Sequence, residues 1–484
     1  MKSLALLQSL FRATPVLVSG VVAVLIGAQI FGQAYAESAQ DTAGITAGQN
    51  DYELTLPQAR QLAISALRTG RPKLAYQLSD GLLQADPKSS FAHFTKATAQ
   101  GQLGLPRDAL RSAAKAYRFA DTRLHKFEAA ELAARLSYVD ARPTLTQLWL
   151  RRAVQNAPNA QIEQQLARDF GVVRARNPLS FSIRGGLRPS NNVNSGADSA
   201  EQIIDGLPFT GVLSGSAQAL SGLAGTLDVQ LGYRLRGDKR SRTDVGARLY
   251  LRRVALTSGS RIQAPDVTNG DFGSTYLEAN VTHGFALGDS RNSATLGAAV
   301  GQLWSGRNKS YGFARLEANR DWHLGKATRL TLDGSVEQRQ SNQAAILDST
   351  TLGLVSGLQH RIANGDTISA ALTLRHTDSD YVNTRNTSAT MSGTYAFAQQ
   401  IGPAKVSVSI AAGYSEYPDF VALFVVPGGR QDKSVYANLN LFFPDMDYAG
   451  FAPSINISAG RKFSNVSRYE TRELSVSMGI QSKF

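Results

Sequence analysis

The sequence has no cysteine, which removes disulfides, thiol nucleophiles and cysteine metal sites from consideration. Histidine is scarce: His93, His125, His283, His323, His360 and His376 are scattered, and none stands at a metal-ligand spacing from another. Gly185-Gly186 is not followed by a helical pattern, so no phosphate loop is indicated, and no serine sits in a nucleophile elbow. No basic stretch interleaves with aromatics, which speaks against nucleic acid as a partner. Beyond one N-terminal run, nothing approaches the ~20 apolar residues of a membrane-spanning helix. No catalytic constellation is recognisable, and neither an enzyme nor a cofactor or metal is expected.

What is present begins with an address. Residues 1–36 read as a secretory signal: Lys2 and Arg12 make a positive front, Val16 to Ile30 an apolar core, and Ala34-Tyr35-Ala36 a small-residue cleavage site before Glu37. No cysteine stands at that site, so no lipid anchor on this chain is expected. Residues 37–53 are small and polar, a flexible leader. The net charge of +13 is spread along the chain, and glycine is abundant at 43 residues, which suits sheet bends and turns.

From residue 54 to 176 the apolar period is helical. Leu62, Ala66, Ala75, Leu78, Leu82 and Leu83 fall on one stripe. Gly70, Pro72 and Ala75 recur as Gly104, Pro106 and Ala109, each 34 residues on, the tetratricopeptide period. Pro87 and Pro158 close a first and a looser third copy, with Trp149 in the latter. About three such helix–turn–helix units make a stable stack, which would offer an extended client a concave surface in the periplasm or act as a rigid spacer. Tyr117, Phe119, Phe127, Tyr138 and Trp149 read as packing residues.

From residue 177 to 484 the period is two. Leu474, Val476, Met478 and Ile480 alternate with Glu473, Ser475, Ser477 and Gln481; Leu227, Val229 and Leu231 alternate with Asp228 and Gln230. Fourteen such segments run near 179–188, 221–236, 242–256, 273–286, 290–303, 309–322, 326–339, 346–361, 366–378, 386–398, 403–416, 431–443, 451–463 and 470–484. They are long for a soluble sheet and match the ~9 to 11 residues of a tilted membrane strand. All even-numbered connections are short, while the longest, 189–220, 257–272 and 417–430, are odd-numbered and fall on one side. The expected fold is therefore a periplasmic, tetratricopeptide-like helical domain followed by a 14-stranded antiparallel outer-membrane β-barrel.

Three sets of residues are candidates for function. Phe484 with Ile480, Met478 and Val476 resembles the terminal signal read by the barrel assembly machinery, although Ser482 replaces the usual large residue. Arg234, Arg236, Arg248, Arg252, Arg315, Glu317, Arg329, Asp333, Glu337, Arg339 and Arg375 fall at lumen-facing positions, as a wettable channel wall or a bracing salt-bridge network. The apolar run with Phe420, Leu423, Phe424 and Val425 lies in a predicted extracellular loop, as a gating or client-release surface or a plug folded inward. Loop 191–220 is a second gating candidate.

The stretch from Asn177 to Gly196, with Pro189, Asn191, Asn192 and Asn194 at its end, resembles the opening of the barrel domain of the surface lipoprotein assembly modifiers, the Slam family. The order of signal peptide, small repeat domain and fourteen-strand barrel is similar over the whole mature chain. The resemblance implies an outer-membrane translocator that delivers lipoproteins, or related soluble secreted proteins, to the surface or medium. It implies no catalytic residues. The partners implied are that client, the assembly machinery and the outer membrane with its lipopolysaccharide. Two other classes compete: an exopolysaccharide exporter, which usually carries a longer repeat array, and a passive porin, which has no use for the helical domain.

Overall fold

The computed structural model describes residues 54–482 apart from 206–209, 423 and 447–450. The signal and leader, including Ala34, Ala36 and Glu37, lie outside the described residues, as do Leu423 and Phe484. Two compact units meet in the sequence between Asn177 and Pro178.

Among the described residues the first unit is seven helices: α1 (Leu56–Arg68), α2 (Pro72–Ala85), α3 (Ser90–Gln102), α4 (Pro106–Phe119), α5 (Arg123–Val139), α6 (Pro143–Gln155) and α7 (Ala160–Arg176). None is long and apolar enough to cross a membrane. Local chemistry marks each start. The side chains of Ser89, Thr122 and Asn159 accept from the backbone of Ala92, His125 and Ile162, capping α3, α5 and α7. Helices α2, α4 and α6 instead open on Pro72, Pro106 and Pro143, where a missing N–H costs nothing.

The turns between them repeat. Arg71, Leu105 and Arg142 each donate their backbone N–H to a carbonyl five residues back, on Ala66, Gln100 and Ser137. The residue just before each is left-handed: Gly70 (φ 69°), Gly104 (φ 76°) and Ala141 (φ 54°). This is one helix C-cap used three times, the third with an alanine where glycine is favoured. Trp149 and Phe127 are buried and Tyr117 and Tyr138 pack against the same core, while Phe119 stacks on His93. Leu62 departs from the expected stripe: it is exposed, while Ala66 is buried as expected and Ala59 and Ala63 are buried with it. Methyl-sized side chains allow close helix approach, and the larger leucine is left outside.

The second unit is one closed antiparallel barrel. In chain order come β1 (Leu179–Ser190), a small hairpin of β2 (Glu201–Ile203) and β3 (Thr210–Val212), β4 (Gly222–Gly237), β5 (Ser241–Leu256), β6 (Ser274–Leu287) and β7 (Asp289–Ser305). Then follow β8 (Asn308–Leu324), β9 (Thr328–Ser341), β10 (Ser349–Arg361), β11 (Thr367–Ser379) and β12 (Asn386–Ala396). Last are β13 (Lys405–Tyr417), β14 (Arg430–Phe442), β15 (Phe451–Ser464) and β16 (Thr471–Ser482). β1 and β4–β16 form the ring, and β16 closes it on β1, with Gly185 opposite Ile480 and Leu187 opposite Met478.

Fourteen strands were legible, their ends within a few residues. One rim carries the long connections 191–221, 257–273 and 418–429; the other carries tight turns such as Gly288 alone (φ 66°) between β6 and β7. The alternation sorts cleanly into two faces. Leu231, Val300, Leu316, Met391, Ile410 and Leu474 stand exposed on the outside, Leu316 at 65 %. That belt of apolar side chains around a ring with no free edge is what a bilayer requires of a spanning sheet.

Candidate functional site: the lumen wall and its tied rim loops

The inward face of β4–β9 carries charge in pairs. Arg248 on β5 donates twice to Asp228 on β4, both at 2.9 Å. Arg315 on β8 is a hub: it donates to Glu278 on β6 at 2.8 Å and Glu337 on β9 at 3.1 Å, and pairs with Glu317 beside it. Arg339 donates to the same Glu337 at 2.6 Å, and Arg329 pairs with Asp321 at 2.7 Å. Asp333 accepts from Asn319 at 2.5 Å, and Arg234 stands opposite Asp244 in the register. The predicted lumen residues thus share one face, where Arg248, Arg315, Glu317, Arg329, Glu337 and Arg339 are ion-paired, while Arg252 binds loop carbonyls and Asp333 binds an amide. The opposite arc is different in kind. Thr390, Ser392, Thr394, Ser409, Asn438 and Asn440 share the register face of β12–β14 that points away from the apolar belt, a wall of hydroxyls and amides.

Over this lumen the loop 191–221 is fastened by its asparagines. Asn194 donates to the carbonyls of Ser216 (3.0 Å) and Gln218 (2.7 Å) and accepts from Leu220 N–H at 2.9 Å. Asn192 closes a ring with Gly196, donating and accepting at 2.8 Å. Asn191 accepts from the Leu474 backbone on β16 at 3.0 Å, while Pro189 sits within β1. Beneath them Arg252 donates to Val193 O (2.5 Å) and Phe272 O (2.7 Å), tying two loops to the wall. Val193 and Leu220 then pack on Ala224, Val254 and Leu256 at the rim. At Gly196 and Gly215 an added Cβ would strike the carbonyls of Gln218 and Gln263, so the loops meet too closely for any side chain there.

The same loop reaches along the rim to the connections β15–β16 and β13–β14. Ile203 N–H donates to Ser467 Oγ at 2.7 Å, and Ile204 packs with Phe420, Val426 and Val466. Arg430 is held between the rings of Tyr417 and Tyr469, 3.6 and 3.7 Å from their centres, with Phe420 at 4.9 Å. The expected apolar surface is therefore divided. Phe420 is a buried anchor, whereas Phe424 and Val425 remain exposed at the loop tip; Leu423 between them is not described. Ile480, Met478 and Val476 line the outer face of β16.

In the helical unit one group stands apart. Glu128 on α5 is buried, and neither carboxyl oxygen has a hydrogen-bond partner among the described residues. Burial, and to a lesser degree Glu131 one turn on, pushes its carboxyl up to about 8. His93 and His125 are lowered by burial.

Arg252, Arg430 and Glu128 were not singled out by sequence or were read only as lumen charge. Each owes its role to partners distant in the chain, which period and spacing do not encode. The Asn-rich stretch was flagged by resemblance alone, and its work here is to satisfy loop backbone.

No family model and no curated protein matches the sequence. Solved structures with a similar course include an outer membrane channel of Pseudomonas putida F1, 12% identical, covering 62% of this chain and 94% of that one at a TM-score of 0.31. The outer membrane channel DcaP of Acinetobacter baumannii is 12% identical, covering 63% and 97% at 0.36. The type III secretion translocator chaperone SycD of Yersinia enterocolitica is 15% identical, covering 25% and 85% at 0.24. Scores this low leave the functional reading to the chain's own residues.

Proposed function

We propose that this chain is an outer-membrane transport channel that passes proteins outward, delivering lipoproteins or related soluble clients to the surface or medium. The helical unit would engage the client in the periplasm. One observation carries the reading: a polar, partly charge-paired lumen lies in a barrel whose long rim loops are tied together by side chains, in a chain that also contains a stack of helical hairpins. A passive solute pore needs neither the ties nor the stack. The resemblance to the Slam family points the same way, and under it the long-loop rim faces the exterior. A wall that pairs its own charges offers a passing polypeptide few fixed ions to stick to.

The test is surface exposure of secreted and lipid-modified proteins in cells with and without the gene, by protease shaving and analysis of the medium. Loss of one such protein on deletion, and its return on complementation, is the expected result; removal of residues 54–176 should then block delivery while the barrel still assembles. The exopolysaccharide exporter is the second reading, and the hydroxyl and amide wall of β12–β14 favours it, since such groups hydrogen-bond sugars. If exported sugar falls on deletion and no protein moves, that reading replaces the first.

A further inference from the structure

We infer that the outer wall of β14, β15 and β16 holds a binding site for the phosphates of a phosphorylated glycolipid in the leaflet at the long-loop rim. On the outer face of each of these strands a cation follows the apolar series close to the long-loop rim. Val435 is succeeded by Lys433, Ala459 by Arg461 and Leu474 by Arg472. The register sets Arg461 directly opposite Arg472, while Lys433 lies opposite Phe463, one same-face step nearer the rim and diagonal to Arg461. All three are exposed, and none has an ion-pair partner among the described residues.

That arrangement is unfavourable by itself. Like charges directly opposite on a sheet destabilise it, whereas on the lumen side Arg248, Arg315, Arg329 and Arg339 each face a carboxylate. Nearby acids are engaged elsewhere or out of reach. Glu473 points inward to Arg188 at 2.8 Å, and Glu470 accepts from Ser464 N–H. Glu416 on β13 stands opposite Gln431, beyond ion-pair distance of Lys433. The surroundings are those of a lipid headgroup layer. Lys433 is flanked in the register by Tyr414 and Phe463, and the Arg461 guanidinium lies 4.5 Å from the Phe463 ring centre. Aromatic rings with cations just above an apolar belt mark the membrane interface. Three clustered cations there exceed what lipid-facing side chains need for snorkelling, and they complement a polyanionic headgroup anchored by its own acyl chains. The inference stands whatever the barrel carries, because it concerns only the outer wall.

The experiment uses full-length protein in dodecyl maltoside, probed with lipid A, with dephosphorylated lipid A and with inorganic phosphate. The variant is Lys433→Gln, Arg461→Gln and Arg472→Gln combined, checked for folding by heat-dependent gel migration. A second variant, Arg461→Lys with Arg472→Lys, keeps the charge. A control, Arg234→Gln with Arg329→Gln, removes cations from the lumen face. The wild type, the lysine variant and the lumen control should bind lipid A alike, and the triple variant about ten-fold or more weakly, as loss of several charge-assisted hydrogen bonds requires. Lipid A without phosphates should bind the wild type as weakly as lipid A binds the triple variant. Equal binding by the triple variant, or indifference to the lipid's phosphates, overturns the inference. Displacement of lipid A by an equal concentration of inorganic phosphate also overturns it, since the site would then be one for a free anion.

Discussion

The guanidinium carbon of Arg430 lies 3.6 Å from the centre of the Tyr417 ring, and the side chain is almost wholly buried. Tyr469 covers its other side, so one cation joins the ends of β13 and β14 to the loop 465–470. Desolvated cation–π contacts of this kind contribute about 2 kcal/mol each. Arg430→Ala should free the loop 418–429, and protease added to intact cells should cut there several times faster. Arg430→Lys should not restore protection, because an ammonium cannot stack flat between two rings. Unchanged cleavage in both variants would show that the sandwich does not hold the loop.

Asn194 serves four backbone groups of the loop over the lumen, those of Gly196, Ser216, Gln218 and Leu220. Asn194→Ala leaves them without that partner, at about 1–3 kcal/mol for each one that stays buried. The expected result is a more open mouth, read as larger single-channel currents in planar bilayers and greater sensitivity of cells to bulky antibiotics. Arg252→Gln should act in the same direction, since it unties both loops from β5. Currents equal to wild type would mean that the cap does not limit the pore.

Glu128 makes the helical unit sensitive to pH. Its folded carboxyl titrates near 8, above the ordinary 4.5 of the unfolded chain. Between those values the folded state holds a proton that the unfolded state releases. Stability from this group is therefore complete at low pH, falls as pH rises through the window, and levels off above 8. The total is on the order of a few kcal/mol. Glu128→Gln should flatten this slope in urea titrations at pH 5 and 8 followed by helical circular dichroism. A slope identical to wild type would assign the pH dependence elsewhere.

Ala141 occupies a left-handed position that its counterparts fill with glycine. Ala141→Gly should stabilise the third hairpin by up to about 1 kcal/mol, relief of strain exceeding the added freedom of the unfolded chain. Gly70→Ala and Gly104→Ala should cost about 1 kcal/mol each. Thermal melts of the three variants decide it, and the signs must differ.

The barrel was legible in the sequence because its two solvents sort residues by parity. Lipid outside and polar lumen inside leave Leu474, Val476 and Met478 apart from Glu473, Ser475 and Ser477 with little ambiguity. The helical stripe was less legible, since alanines carry the packing and hydropathy draws the eye to Leu62. The mouth was least so. Ile204, Phe420 and Val466 come from three separate segments, and no local pattern announces their meeting. Asn192 and Asn194 bind main-chain atoms, which every residue possesses, so their partners leave no trace in side-chain composition.

The ring closes between Gly185 and Ile480, on the strands farthest apart in the sequence. Every other pairing in the ring joins barrel strands consecutive in the chain, β1 with β4 included, whereas the second edge of β1 must wait for β16. Until then the growing sheet has two bare edges, each a template for pairing with another chain. Such late, long-range closure is slow. A cell making this protein must therefore keep the unfinished sheet apart from its copies until the last strand arrives, and the rate of that handling, more than the stability of the finished ring, will govern its yield.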